Sequence, residues 1–539
     1  MKTIKLKLPD IPEDAKSPAV LALLNIIDNL YSTVLKQQED IQKLKDEIAR
    51  LKNDNQKPRI KPSKLNKNNI SNKLKNNDGK RPGSAKKKKT AKLTIHKELI
   101  IEPDNIPEGS RFKGYKDFVV QDVVLESRNT KYRLAVYKTP AGKLIRAKLP
   151  AHLDGKHFGG DLLCFCLYQH YHCMVTQPLL LEQLAELGVQ ISAGQLNNIL
   201  IENKDQYHNE KEMLLASGIK HSPYINVDDT GARHMGKNGY CAHIGNEDFA
   251  WFESTDSKSR INFLKIIRGK NNTDYQVNEH ALDYMAQNKL PKFILKKFAQ
   301  CLNFCLADDD ALEIFFLKLG MEKQRHVRIA VEGLLVGAIA ERGVADDLTI
   351  ISDDAGQFNV FRHGLCWIHA ERLIGKIIPF TDQAAKDLKD IRSRIWDFYD
   401  KLKAYKQHPD AKFKISLEAE FDEIFTTQTE SATLNNALKR LWKNKSELLL
   451  ALERPDVPLH NNCAENSIRE YVKKRKISGG TRSDNGRQCR DTFASLKKTC
   501  RKQGVSFWRY LKDRVFKIFS IPDLSDLIKQ NALQTAGSI

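Results

Sequence analysis

Apolar residues near the start of the chain recur by alternating threes and fours: Val20, Leu23, Ile27, Leu30, Val34, Gln37, Ile41, Leu44, Ile48 and Leu51. This is a heptad seam with Val or Ile at every a position and mostly Leu at d, the pattern of a parallel two-stranded coiled coil. It predicts a dimerising helix over 1–52, with Gln37 fixing register at some cost in stability. An amphipathic helix packed on its own domain would carry a similar stripe. From 53 to 94 the periodicity stops and Lys, Asn, Pro and Ser take over, including Ala85-Lys86-Lys87-Lys88-Lys89. No core can form from that composition, so it reads as a disordered basic linker.

Short strand-like runs then predict a small β-rich domain over 95–155, followed by a helical region over 156–215. Within the latter, Leu179 to Leu187, the Gly188-Val189-Gln190-Ile191-Ser192 link and Ala193 to Ile201 have helix-turn-helix form, with Ser192 as the second N-cap. A plain helical hairpin has the same pattern.

Tyr224-Ile225-Asn226-Val227-Asp228-Asp229-Thr230 reads as a strand whose β-branched and aromatic residues give way to acids. Lys237-Asn238-Gly239 is expected to turn it into a second strand, Tyr240 to Ile244, with a third from Phe249 to Phe252 and a helix from Ser257 to Arg268. Leu348 to Ser352 is an apolar run short enough to be a strand buried on both faces, and it ends at Asp353-Asp354. An apolar strand also leads into Cys366-Trp367-Ile368-His369, where a helix is expected. Helical stretches are predicted over 274–343 and 380–452, the second with a polar joint at Gln407-His408-Pro409-Asp410. Three strands in a meander, with an acid on the first, are how an RNase H-like domain begins. The predicted fold class is therefore α/β: an RNase H-like domain over 216–515 with two helical insertions, preceded by the coiled coil, linker and small β-rich and helical DNA-binding regions, and followed by a tail over 516–539.

The chemistry lies in acids. Asp228 and Asp353 close apolar strands, and Glu465 opens a basic helix within His460-Asn461-Asn462-Cys463-Ala464-Glu465-Asn466-Ser467-Ile468-Arg469. In-line displacement at a phosphodiester uses two divalent cations about 4 Å apart. Mg²⁺ or Mn²⁺ wants carboxylate oxygens, so three acids from distant segments suffice. Spacing alone leaves Asp353 and Asp354 both open. Arg469 and Lys473 follow Glu465 by four and eight residues, on nearly one helix face, where they would meet strand phosphates. An i,i+4 ion pair on a solvated face is the plainer account. Gly479-Gly480 would let backbone approach DNA closely or would serve as a turn.

Cys366-x-x-His369 has the spacing of half a zinc site, without a second pair nearby. Cys164, Cys166, His170, His172 and Cys173 cluster in sequence, but on a helix they point in several directions, so burial is expected for them.

Together these residues resemble the insertion-sequence-66 family of DDE transposases over about 108–515. Asp228-Asp229-Thr230 matches the first motif, although the family usually has Glu where this chain has Asp229. Phe358, five residues beyond Asp353, matches the aromatic of the second motif and favours Asp353 over Asp354. Cys366-Trp367-x-His369-Ala370 looks like the family's Cys-x-x-His element. Asn461-Asn462-x-Ala464-Glu465, Arg475-Lys476, Gly479-Gly480, Asp484-x-Gly486, Ser495-Leu496-x-x-Thr499-Cys500 and Tyr510-Leu511 follow at the family's spacing. The resemblance implies a metal-dependent transposase in which Asp228, Asp353 and Glu465 bind two Mg²⁺ or Mn²⁺ ions and His369 lies beside them. DNA would be met by Arg469, Lys473, Lys474, Arg475, Lys476 and Arg482, and by Lys86, Lys87, Lys88 and Lys89. Many relatives carry paired Cys-x-x-Cys motifs before the catalytic part. Here no cysteine precedes Cys164, so no structural zinc is expected.

A net charge of +21 and a pI near 9.3 point to a polyanionic partner. No apolar run was expected to reach the length of a membrane span, and the start lacks a signal-peptide core. Ten scattered cysteines read as reduced thiols. The expected setting is a bacterial cytoplasm, at the nucleoid, with DNA ends and target DNA as partners, self-association through the coil, and companion proteins in some relatives. A DDE-fold nuclease without strand transfer, or a DNA-binding protein that has lost transposition, fits the same residues.

Overall fold

The computed structural model describes residues 17–51, 95–149, 157–344 and 348–536. The expected basic linker, with Lys86, Lys87, Lys88 and Lys89, lies outside them. The chain divides into two compact units, Met1–Arg59 with Asn129–Ile539, and Ile60–Arg128. The described part of the second, 95–128, contains no helix or strand.

In the larger unit, α1 (Pro18–Leu51) comes first, then the short hairpin β1 (Val136–Lys138) and β2 (Leu144–Arg146). That hairpin is the only regular structure among the described residues of the stretch predicted to be β-rich. A helical block follows: α2 (Gly160–Leu167), a π-helical turn at Tyr168–His172, α3 (Gln177–Glu186), α4 (Ala193–Ile201) and α5 (Asp205–His221). Next are β3 (Tyr224–His234), β4 (Lys237–Gly245), β5 (Ala250–Thr255) and α6 (Arg260–Arg268). The first insertion holds β6 (Tyr275–Gln276), α7 (Glu279–Gln287), α8 (Lys292–Ala299), β7 (Cys305–Leu306), α9 (Asp309–Leu319) and α10 (Gln324–Glu341). The chain returns to the sheet as β8 (Thr349–Ser352) and β9 (Arg362–Leu365), then α11 (Trp367–Ile374). The second insertion is α12 (Asp382–Gln407), α13 (Ala411–Phe425), α14 (Ala432–Lys443) and α15 (Lys445–Leu448). Helices α16 (Asn462–Ser478), α17 (Asp484–Lys502), α18 (Phe507–Val515) and α19 (Leu524–Ala536) complete it. Ser259, Thr381, Asp410, Ser431 and Ser483 each accept the amide three residues on, so α6, α12, α13, α14 and α17 start at side-chain caps.

The central sheet has the order β5-β4-β3-β8-β9, with β5-β4-β3 antiparallel and β3-β8-β9 parallel. One face carries Ile225, Val227, Ile244 and Trp251 into a core shared with Phe263 and α10. Helix α10 is buried nearly all round because Gly333 and Gly337 admit α7 and β6: a Cβ would stand 2.9 Å from the Ala281 carbonyl oxygen and 2.6 Å from that of Gln276. The first insertion thus builds core. Its one buried acid, Glu332, accepts from Tyr284 at 2.8 Å and faces Arg260 at 3.5 Å. The opposite sheet face packs Ala232, Cys241, Ala250 and Phe252 against Ile468 and Tyr471 of α16. The second insertion has a separate core around Trp367, Phe398, Phe421 and Phe425.

Two expectations are corrected. The β3–β4 turn is Met235-Gly236, not Asn238-Gly239, because both turn residues take positive φ, 47° and 77°, as a tight hairpin requires. Asn238 and Gly239 lie inside β4, paired with Arg233 and Ala232. Also, Pro18–Ile41 is long and apolar enough to cross a membrane by length and composition alone. This helix packs on α14: Thr433 donates to the buried Asp28 at 2.8 Å, Asn436 to Ser32 at 3.0 Å, and Tyr31 stands edge-on to Phe380. Its heptad residues Leu23, Ile27, Leu30, Val34, Ile41 and Leu44 stay exposed.

Strand β5 is an edge, and α17 covers it. Asp491, Ser495 and Thr499, one helical turn apart, accept the free amides of Ser254 (2.8 Å), Phe252 (2.9 Å) and Ala250 (3.1 Å). The edge is thereby closed to pairing with another chain. Ser495→Ala leaves the Phe252 amide buried without an acceptor, which should lower unfolding stability by ~1–3 kcal/mol in a urea titration. An unchanged midpoint would show that the helix does not serve this purpose.

Candidate active site

Strand register sets the geometry. Tyr224 pairs with Thr349 and Asn226 with Ile351 across the parallel β3–β8 ladder. Continued two residues, that ladder puts Asp353 alongside Asp228 with both side chains on one face. It is the face on which α16 packs, and α16 carries Glu465 in its first turn. Asp229 points to the other face, where it is ion-paired to Lys258 and accepts from Gln357 Nε2 at 2.7 Å. There a shallow recess is lined by Asp229, Tyr240, Lys258, Asn262 and Gln357 among others. Asp354 turns away to Arg440 at 2.5 Å. Geometry thus separates Asp353 from Asp354, which spacing left open, and Asp228 from Asp229.

The start of α16 is fixed by Asn461, which is 1% exposed. Its side chain donates to the Val227 carbonyl at 2.8 Å and accepts from Asn226 at 2.9 Å, while its backbone amide meets Cys366 Sγ at 3.2 Å. Cys366 is buried and binds α16 through that contact. The Trp367 amide donates to Leu459 at 3.0 Å, tying α11 to the same segment. On α11, His369 Nε2 lies 3.7 Å from Glu465 Oε1. Arg372 Nη1 lies 3.4 Å and Arg469 Nη2 2.9 Å from the two oxygens of Glu465.

Burial, followed by the charges of Asp353, Asp229 and Glu465, pushes Asp228 up to about 7, against its hydrogen bond from the Asp229 amide. Burial also raises Asp353, with Asp229 adding to the effect and His369 and Lys258 opposing it. Asp353 Oδ1 is buried with no hydrogen-bond partner. Clustered carboxylates, one with an orphaned oxygen, are the hard donor set that a divalent cation neutralises. Among the described residues no three His, Cys, Asp or Glu side chains converge on one point at ligand distance. Glu465 is instead turned to its cations.

The predicted cations divide. Arg469, Lys473, Lys476 and Arg482 are exposed. Lys474 is not: it is 9% exposed and donates to the His170 carbonyl at 2.8 Å, and burial beside Arg490 and Lys497 brings it down to about 7. Arg475 is half-buried, its Nε without a partner. These two corrections follow from the helix period, which turns 474 and 475 inward when 469, 473 and 476 face out. Gly480 approaches the protein's own β3, where a Cβ would sit 2.5 Å from the Arg233 carbonyl oxygen. The Gly479-Gly480 loop therefore docks on the hairpin, with Met235 donating to Thr481 at 2.8 Å. In the Cys/His cluster, Cys164 and Cys166 are buried, His170 Nδ1 meets the Val175 carbonyl at 2.9 Å, and His172 stacks on Tyr168.

Sequence reasoning missed Arg372, Lys258 and Gln357. Arg372 had a signal, its i+3 spacing from His369; the other two come from segments that only folding brings near.

The raised Asp228 pKa has a sign. A carboxyl held above its unfolded value stabilises the fold below about pH 4, and that contribution is lost as pH rises through about 7. In chelator-treated protein, Asp228→Asn should therefore melt higher than the parent at pH 8, with the gap closing below pH 4. Parallel melting curves across that range would refute the shift.

The Transposase IS66 family matches residues 343–489, which contain β8, β9, Asp353, His369 and Glu465. An uncharacterized protein, y4jO, of Sinorhizobium fredii is 41% identical over 306 residues, 56% of this chain and 94% of the relative. With that relative matched over nearly its whole length, and with the family model spanning β8, β9, α11 and α16, the chain belongs to the IS66 transposase family.

Proposed function

We propose that this protein is the DNA transposase of a bacterial insertion sequence, cutting at the element ends and joining them to a target by in-line phosphoryl transfer. The observation that carries the proposal is the placing of Asp228 and Asp353 side by side under the helix that bears Glu465. In this reading the region 216–515 is an RNase H-like catalytic domain. The mixed sheet supports this, with its antiparallel meander continued by two parallel strands.

Asp228, Asp353 and Glu465 would hold two Mg²⁺ or Mn²⁺ ions, which supply activation of the attacking oxygen and charge for the leaving one. The rest falls to the chain. Asn461 fixes Glu465 relative to Asp228. His369 stands near Glu465 and Asp353, placed to orient a water or a 3′-hydroxyl. Arg469, Lys473, Lys476 and Arg482 present charge to strand phosphates, as Lys86, Lys87, Lys88 and Lys89 would from the linker. Helices α3 and α4, joined at Gly188 (φ 76°) with a capping box of Ser192 and Gln195, leave Asn198 exposed to read a groove. The exposed seam of α1 is suited to self-association with a second copy. The work would be done in the cytoplasm at the nucleoid, with accessory proteins where the element encodes them.

The test uses purified chain, Mg²⁺ or Mn²⁺, and labelled DNA with the ends of its own element. Nicking at the ends and joining to a target plasmid are expected. Asp228→Ala and Glu465→Ala should abolish both while retaining DNA binding, and an active Asp228→Ala would sink the assignment. Cutting without joining would mark a nuclease; binding without cutting would mark a DNA-binding protein.

A further inference from the structure

Arg372 stands between the carboxylate that closes the site and solvent. It lies three residues beyond His369, on the same face of α11. Its Nη1 is 3.4 Å from both Glu465 Oε1 and His369 Nε2, and its side chain is 45% exposed against 14% for Glu465. Arg469 meets the other Glu465 oxygen, but as an i,i+4 neighbour on one helix, bonded also to Asn466. Arg372 is different because its contact crosses from α11 to α16.

Three physical points bear on it. At 3.4 Å the contact is longer than the ~2.7–2.9 Å of a well-made charge-assisted bond, so the guanidinium is held by charge and not locked in a two-bond fork. Its planar array of donors suits a phosphate, and nearly half the side chain is open to solvent. Glu465 Oε1, the oxygen it faces, is on the carboxylate assigned above to metal. A divalent cation there would displace or repel the guanidinium and leave it beside whatever anion the site has bound.

We propose that Arg372 is a shared cation: it neutralises Glu465 in the metal-free protein and binds a phosphate of the DNA strand once the carboxylates hold metal. The inference rests on the assignment of Asp228, Asp353 and Glu465 as the metal-binding set. It makes metal and DNA binding mutually reinforcing, since each removes an obstacle to the other. A structural clamp between α11 and α16 predicts the opposite sign, because its loss would loosen Glu465 and weaken metal binding.

Full-length wild type, Arg372→Ala and Arg372→Lys, stripped with chelator, would be titrated with Ca²⁺ by calorimetry without DNA. They would then be titrated with labelled element-end duplex in Ca²⁺ across a salt series. Arg372→Ala should bind Ca²⁺ about two- to fivefold more tightly, the size of a half-exposed ion pair. Its log–log salt slope for DNA should fall by about 0.9, one phosphate contact. Arg372→Lys should restore the slope. Ca²⁺ binding that is weaker or unchanged in Arg372→Ala, or an unchanged slope, overturns the proposal while the metal assignment stands. A wild type that binds no Ca²⁺ overturns the assignment and the sharing together.

Discussion

Like charges held together on one sheet face are the constraint on which the site depends. Asp228 and Asp353 are driven side by side by backbone pairing of β3 with β8, in which neither carboxylate takes part. Their mutual repulsion is met by burial that raises both, by His369 and Lys258 near Asp353, and by Arg372 and Arg469 on Glu465. A fold does not gather acids in this way for stability, since each buried carboxylate without full compensation works against the folded state. Perturbed, crowded carboxylates mark places where function has shaped the packing.

What makes the arrangement tolerable is the rigidity around it. Asn461 ties α16 to the β3 backbone and to Cys366, so Glu465 cannot drift from the aspartates without breaking buried hydrogen bonds. Ser352 adds a further brace, its hydroxyl 2.8 Å from His363 Nε2, with His363 Nδ1 3.2 Å from Glu447. On the far side of the sheet, α17 supplies Asp491, Ser495 and Thr499 to the edge of β5, so residues that look like a sequence signature are acceptors for an otherwise unpaired strand.

The two insertions contribute differently. The first ends in α10, which forms the floor of the sheet's apolar face, and its glycines let α7 and β6 come close. The second builds its own core, and its Leu448 carbonyl accepts from Trp367 Nε1 of α11 at 2.8 Å, anchoring the start of that helix. Arg440 of α14 reaches Asp354 and also lies 3.7 Å from Glu39 of α1. One arginine thus links the N-terminal helix to the residue after Asp353.

The sequence by itself determined much of the local structure. Short apolar and β-branched runs ending in acids marked β3 and β8, the polar joint at 407–410 separates α12 from α13, and Ser192 caps α4. Such features are written in neighbouring residues, where turn chemistry and periodicity act. Even there Asn238-Gly239 misled, because the strands' pairing, not the dipeptide, chose Met235-Gly236 for the turn. The family resemblance favoured Asp228 and Asp353, but the physical reason lies in tertiary structure, since a strand alternates its sides and only packing says which side faces α16. Tertiary structure also turned Lys474 inward, set Gly480 against Arg233, and brought Arg372 and Lys258 to the carboxylates. Those outcomes depend on contacts between segments a hundred or more residues apart in some cases, whose relative placement no local pattern encodes.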